Sequence, residues 1–225
     1  MLVLGAVLWR VLPPQPAAQA RTSYLTLLAS MFRLLREERT LQIRGVIALL
    51  MFMAFSIFWS ALVLPLSDAP FHFSHWQIGA FGLVGAAGAM AATRAGAWAD
   101  RGWAQRTSGA ALVMLTLAWL PLAGLHHSLG WLVLGVLLLD LAGQAIHVTN
   151  QSLIFAARND APSRLVGVYM LFYSTGSGLG AVSATATYAV AGWAGVCLLG
   201  ACVSLAALGF WALTLRFMPS APRRD

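Results

Sequence analysis

Lysine is absent from this sequence: all fourteen basic residues among its 225 are arginines. Charge of either sign is scarce, at 9%, where a globular chain carries about a quarter. So little charge cannot cover the surface of a soluble domain. The formal net charge of +7 is no nucleic-acid signal, because the arginines lie scattered between apolar runs and not along one basic face; no nucleic-acid partner is expected. Cysteine is almost missing too. Cys197 and Cys202 share one apolar run and read as small buried hydrophobes, which excludes a disulfide framework and a metal site. No nucleophile–base set and no paired catalytic carboxylates appear, so neither an enzyme nor a bound cofactor is expected.

What the chain has in quantity is apolar residues, 60% of the total. A spanning helix needs ~20 mainly apolar residues, and six such runs are legible at 45–66, 77–98, 108–125, 130–156, 165–190 and 193–215. The reading is an all-α integral membrane protein. Leu2–Leu12 is apolar as well, but Pro13 and Pro14 follow it where a signal peptide would carry small residues. A helix of that length rises only ~17 Å, so residues 1–12 read as the truncated remnant of a preceding membrane helix. Residues 13–44 then form a linker. Within it Leu27, Leu28, Met31, Leu34 and Leu35 recur at helical spacing beside Arg33, Arg36, Glu37, Glu38 and Arg39. That pattern is a helix lying on the membrane surface or a solvated linker helix. Residues 45–215 make the six-span unit and 216–225 a tail.

The breaks carry their own chemistry. Pro65, Asp68 and Pro70 end the first run, and Ser74 with Gln77 forms a capping box that opens the second. Asp160, Pro162 and Ser163 mark the entry to the fifth. Arginine falls in alternate breaks, whereas 67–76, 126–129 and 191–192 hold none. Under the positive-inside rule both termini are cytoplasmic. Trp76, Trp131 and Trp193 stand near the outer ends as an aromatic belt.

Two polar features interrupt the apolar runs. On the fourth, Asp140, Gln144, His147 and Gln151 fall within about 60° of one another at 100° per residue, with Asn150 to the side. An ionisable group near mid-membrane normally faces a cavity or a partner. The stripe is therefore a pathway, with Asp140 binding protons and His147 relaying them or touching solute, or an inter-helix hydrogen-bond network. On the first run Ser56, Trp59 and Ser60 share a face with Phe52, an aromatic-polar surface suited to amphipathic solutes or to ordinary packing. Gly176, Gly180 and Ala184 at four-residue spacing favour close helix contact.

The second feature is "GAWADRGWAQR", a charged turn between the second and third runs. Gly96, Asp100, Arg101 and Arg106 give G-x-x-x-D-R with a downstream Arg. This resembles the signature loop of the major facilitator superfamily, which stands between spans two and three with a degenerate copy between spans eight and nine. The family's second Gly and paired basic residues would fall at Trp103, Ala104 and Gln105, as suits the degenerate copy. "SHWQIGAFGLVGAAGA", "NQSLIFAARNDAPSRLVGVYM" and "GSGLGA…GW" are similar to spans eight, ten to eleven and the end of eleven in bacterial drug- and sugar-efflux-like members. The resemblance implies the second half of a twelve-span transporter, built as two inverted three-helix repeats in the bacterial cytoplasmic (inner) membrane. It also implies proton-coupled efflux of a small organic solute, a cavity lined by the Asp140 stripe and the Ser56 face, and a cytoplasmic gate in which Asp100 latches onto a missing N-terminal half. The partners expected are the lipid bilayer, the solute, protons, and that half or a second copy. A homodimeric half-transporter and an autonomous six-span binding or regulatory protein are the alternatives.

Overall fold

The computed structural model describes residues 24–91, 93–158 and 162–218. The expected helix remnant at 1–12, Asp160 and most of the tail lie outside the described residues. Within them the regular structure is all helical: α1 (Tyr24–Glu37), α2 (Arg39–Ala61), α3 (Val63–Ser67), α4 (His75–Ala91), α5 (Thr93–Trp98), a π-turn (Ala99–Trp103), α6 (Ala104–Leu117), α7 (Trp119–Ala123), α8 (Leu129–Ala157) and α9 (Pro162–Thr214), with 3-10 turns at Gly124–His126 and Leu215–Phe217.

Five segments are long and apolar enough to cross a membrane: Arg39–Ser67, His75–Trp98, Arg101–His126, Leu129–Ala157 and Pro162–Phe217. The sequence reading gave six. The difference lies at its fifth and sixth runs, which form one helical segment of 56 residues. A straight helix of that length would reach ~84 Å, far beyond a hydrocarbon core of ~30 Å. It is not straight. Gly192 has φ 59° and ψ −157°, a backbone state that only glycine adopts readily, and the helix kinks there into limbs 162–191 and 193–214.

Two further breaks have a common cause. α2 gives way to α3 at Leu62, three residues before Pro65, and α6 to α7 at Ala118, three before Pro121. Each proline lacks the N–H that would bond four residues back and presses on that carbonyl. Leu122 uses one of the carbonyls left open near its helix end to accept the Trp193 indole N–H at 2.9 Å. At the start of α4 half of the expected capping box forms: the Ser74 backbone N–H donates to Gln77 Oε1 at 2.8 Å, and the Ser74 hydroxyl donates to the same oxygen.

The core is one contiguous apolar cluster running from Leu34 through Ile47, Phe58, Leu115, Leu139 and Val168 to Ala207. Close helix approach builds it. Gly176 and Gly180 set the first limb of α9 against the main chain of α2 at Leu49 and Met53, which is the contact their spacing foretold. α4 meets α8 the same way: a Cβ on Gly88 would lie 2.7 Å from the Leu137 carbonyl oxygen. The linker helix α1 buries Leu34 and seats Met31 beside Gly167. Its end is held by Gln42, whose Nε2 donates to the carbonyls of Leu35 and Arg36 at 2.7 and 3.1 Å. Of the cysteines, Cys197 is buried and Cys202 exposed. The second crossing leaves most of itself uncovered, with 20% of its apolar window buried against 50–56% for the first, third and fourth.

Candidate functional site: a polar stripe on α8 and the groups that face it

α8 is apolar around its circumference except on one side, so its polar groups are committed to contacts inside the bundle. Asp140 is 5% exposed. Its carboxylate lies over Gly85 of α4, where a Cβ would come within 3.0 Å of it, and its Cβ sits over Gly88. Two glycines leave room for the acid but offer it no donor, and Oδ2 has no hydrogen-bond partner among the described residues. Two turns further on, His147 is fully engaged. Its Nε2 accepts from the Gln151 amide Nε2 at 3.3 Å. The neutral ring then carries its proton on Nδ1, which donates to the Tyr169 hydroxyl oxygen at 3.0 Å. Gln144 is half-buried between the two ionisable groups.

Aromatic rings from α2 and α9 close over this histidine. Phe52 meets His147 edge-on at 5.4 Å and Tyr173 at 3.9 Å between ring centroids. Trp59 stands further along α2 against Phe55 and Phe58, with its indole N–H buried and unpartnered among the described residues. Ser60 is half-buried. Ser56 faces Gly180 of α9 and so belongs to the α2–α9 contact. The structure thus brings His147, Gln151, Phe52, Tyr169 and Tyr173 together, places Asp140 on the α4 side of the same helix, and leaves Ser56 in packing.

The charged turn is a π-turn in which Gly102 takes φ 85°, the left-handed state that lets the chain reverse between helices. Gly96 gives α5 a close approach to Val148 of α8. Arg101 and Arg106 are exposed and form no ion pair among the described residues. The Asp100 side chain lies outside the described residues.

A residue that sequence reasoning assigned to the linker is the most buried charge present. Arg44, on the second turn of α2, is 0% exposed. It donates from Nη1 to Ser108 Oγ at 2.9 Å and to Asn150 Oδ1 at 3.4 Å, and from Nη2 to Gln105 Oε1 at 2.7 Å. Gln105 Oε1 also accepts the Trp211 indole N–H at 3.3 Å, so three crossing segments meet at one guanidinium and a fourth joins through Gln105. A signal for it exists in the sequence: Arg44 keeps helical register with Leu41, Ala48 and Met51, the buried side of α2. Asn150, which the stripe left to one side, points here; Tyr169 lies within side-chain hydrogen-bonding reach of Asn150 and electrostatic reach of Arg44. An apolar groove of about 480 Å³ between the α6–α7 region and the last limb of α9, walled by Trp119, Trp193 and Leu198, contains none of these groups.

Apolar crossing helices with a buried polar seam define the class: a multi-pass helical membrane protein. No protein-family model matches the chain. It is 38% identical over 211 residues to a protein of Escherichia coli K12 described as the putative uncharacterized transporter YgaY, and equally to the uncharacterized transporter YgaY of Escherichia coli O157:H7. The aligned region is 94% of this chain and 53% of each relative, so the chain spans about half the length of the curated relatives it matches.

Proposed function

We infer that the chain forms one half of a secondary active transporter of the major facilitator type, exporting a small organic solute in exchange for protons across the bacterial inner membrane. Counted as separate crossings, the two limbs of α9 bring the total to six, two sets of three, with both ends on the arginine-rich cytoplasmic side. The role is translocation, not catalysis of a covalent step.

The observation that carries the reading is Asp140: a carboxyl group in the middle of a crossing helix, 5% exposed, with an oxygen free of partners among the described residues. Such a group carries a proton without disturbing any structural bond. His147, bridged to Gln151 and Tyr169, offers a second protonatable atom about 10 Å along the helix by rise per residue. Phe52 and Tyr173 beside it supply an aromatic surface for the apolar body of a solute. The likeness to proteins described as transporters supports the same class. α4 supports the need for a second six-helix unit: Gly79 and Gly82 face open space, while Leu83 and Met90 are 75% and 71% exposed. The gate formed by Gly96, Asp100, Arg101 and Arg106 would close against that unit, whether a different half or a second copy.

The test is proteoliposome transport under an imposed pH gradient. The chain alone is expected to move no solute in response to the gradient. Co-reconstituted with the part of the E. coli relative that it does not match, it is expected to do so. Asp140→Asn in the active assembly should abolish gradient-driven accumulation while leaving downhill solute exchange. Unchanged pH coupling in that variant removes Asp140 from the proton path, and coupled transport by the chain alone removes the half-transporter reading.

A further inference from the structure

The Arg44 cluster has a chemical imbalance that the transport reading does not use. A guanidinium has five N–H donors and no acceptor. It therefore fixes the amides around it: Gln105 and Asn150 must turn their oxygens toward Arg44, and their NH2 groups away. Gln105 Oε1 is shared between Arg44 and the Trp211 indole, which adds one more donor. The result is a buried site crowded with N–H groups. Arg44 Nε, Gln105 Nε2 and Asn150 Nδ2 are all buried without a hydrogen-bond partner among the described residues. Each belongs to Arg44 itself or is the amide nitrogen of a side chain whose oxygen accepts from Arg44. Among the described residues no carboxylate pairs with it: the ion pairs there join Arg158 to Glu37 and Glu38.

A carboxylate or imidazole in such a place sheds its charge by exchanging a proton; arginine does not. A fixed cation with surplus donors and no counter-ion calls for a ligand that is acceptor-only and negatively charged. Arg44, Ser108 and Asn150 are each 0% exposed, so the ligand must be small, and a single positive charge is matched by a single negative one. Gln105 and Trp211 are only half-buried and give access from the arginine-rich end, where exposed Arg101 and Arg106 concentrate anions.

We propose that Arg44, Gln105 and Asn150 form a binding site for a small monovalent inorganic anion, of the size of chloride, held inside the bundle where α2, α6, α8 and the last limb of α9 meet. The anion accepts from Arg44 Nε and completes the tie between these helices. The site is independent of solute transport and is read by binding alone.

The experiment is equilibrium dialysis of the purified full chain in detergent with radiolabelled chloride, with gluconate as the bulky replacement anion at constant ionic strength. The expected result is saturable binding approaching one chloride per chain, competed by nitrate, together with a melting temperature higher in chloride than in gluconate. Arg44→Met should lose both. Because that variant may fail to fold, Gln105→Glu is the second arm: it builds a carboxylate beside Arg44, and should melt at the same temperature in both salts and bind no chloride. Arg33→Gln, on the exposed face of α1, should bind as the parent does. The proposal is overturned if the parent chain binds no chloride and melts alike in both salts, as it would if water filled the site, or if binding persists in Gln105→Glu.

Discussion

α8 is flanked by two buried charges that are solved in opposite ways. Asp140 lies against glycines, which give it space and nothing to bond to, and its carboxyl keeps a free oxygen among the described residues. Arg44, brought to Asn150 about 15 Å further along the helix by rise per residue, is wrapped by three side-chain acceptors from two neighbouring helices. The chemistry of the two groups explains the contrast. An acid in a low-dielectric interior can become neutral by taking a proton, so it tolerates an empty surrounding and can be used as a carrier. A guanidinium stays charged in any surrounding, so burial obliges the structure to build acceptors around it. Asp140 is thus left without a structural bond among the described residues, whereas Arg44 ties neighbouring helices together.

The sharpest way to break that contrast is to exchange the side chains for neutral or smaller ones. Arg44→Ala should be the most damaging single change, costing about 3–5 kcal/mol, because it leaves a large void together with stranded acceptors. Asp140→Asn should shift stability by less than ~1.5 kcal/mol, since shape is conserved and no bond is broken. Equal losses in a denaturant titration of the two variants would erase the distinction between scaffold and carrier.

Next in size are the glycines that make room for the acid. Gly88→Val is expected to cost about 1–3 kcal/mol, because its Cβ would meet the Leu137 carbonyl oxygen at 2.7 Å and the main chain of α8 cannot move aside. Gly79→Ala and Gly82→Ala on the same helix meet nothing within 4 Å and should stay within ~0.5 kcal/mol of the parent. Thermal melts of the three variants separate a packed face of α4 from an open one. A smaller change probes the far end of the stripe. Tyr169→Phe removes one hydrogen bond to His147 and should cost about 1 kcal/mol, with a shift in the His147 ring nitrogen resonances marking the lost Nδ1 contact.

How much of this was visible beforehand depends on whether a contact follows from one helix or needs two. Periodicity alone placed Asp140, Gln144, His147 and Gln151 on one side of α8, and four-residue glycine spacing marked α9 for close helix contact without naming its partner. Both are properties of a single helix. The Arg44 cluster is not: Arg44, Gln105, Asn150 and Trp211 come from four segments, and no repeat in any one of them announces the others. Arg44 was further disguised by position. It adjoins a run of linker arginines, and only continuing the helical register back to Leu41 places it on the buried side. The crossing count turns on an equally local feature: Gly192 breaks the helix by backbone angle with no polar loop around it, so one long apolar helix and the two runs read at 165–190 and 193–215 differ by the geometry of a single residue.

The smallest effect expected lies at the cytoplasmic rim. Arg158, just past the end of α8, donates to Glu38 Oε1 at 3.0 Å and stands 3.6 Å from Glu37 Oε2, tying the α1–α2 hinge to the α8–α9 turn. Its side chain is 33% exposed and those of Glu37 and Glu38 are 54% and 25% exposed, so water and salt reach the cluster from one side. Exposed pairs of this kind contribute ~0.2–1 kcal/mol. Glu38→Gln should therefore lower stability by a few tenths of a kcal/mol, and the loss should fade in high salt. The cation under test here is one-third exposed, whereas Arg44 is fully buried, and that is the point of the measurement. A salt-insensitive loss of several kcal/mol on removing Glu38 would mean that the rim is as sealed as the interior. The division between a wrapped interior arginine and loosely paired surface arginines would then have to be abandoned.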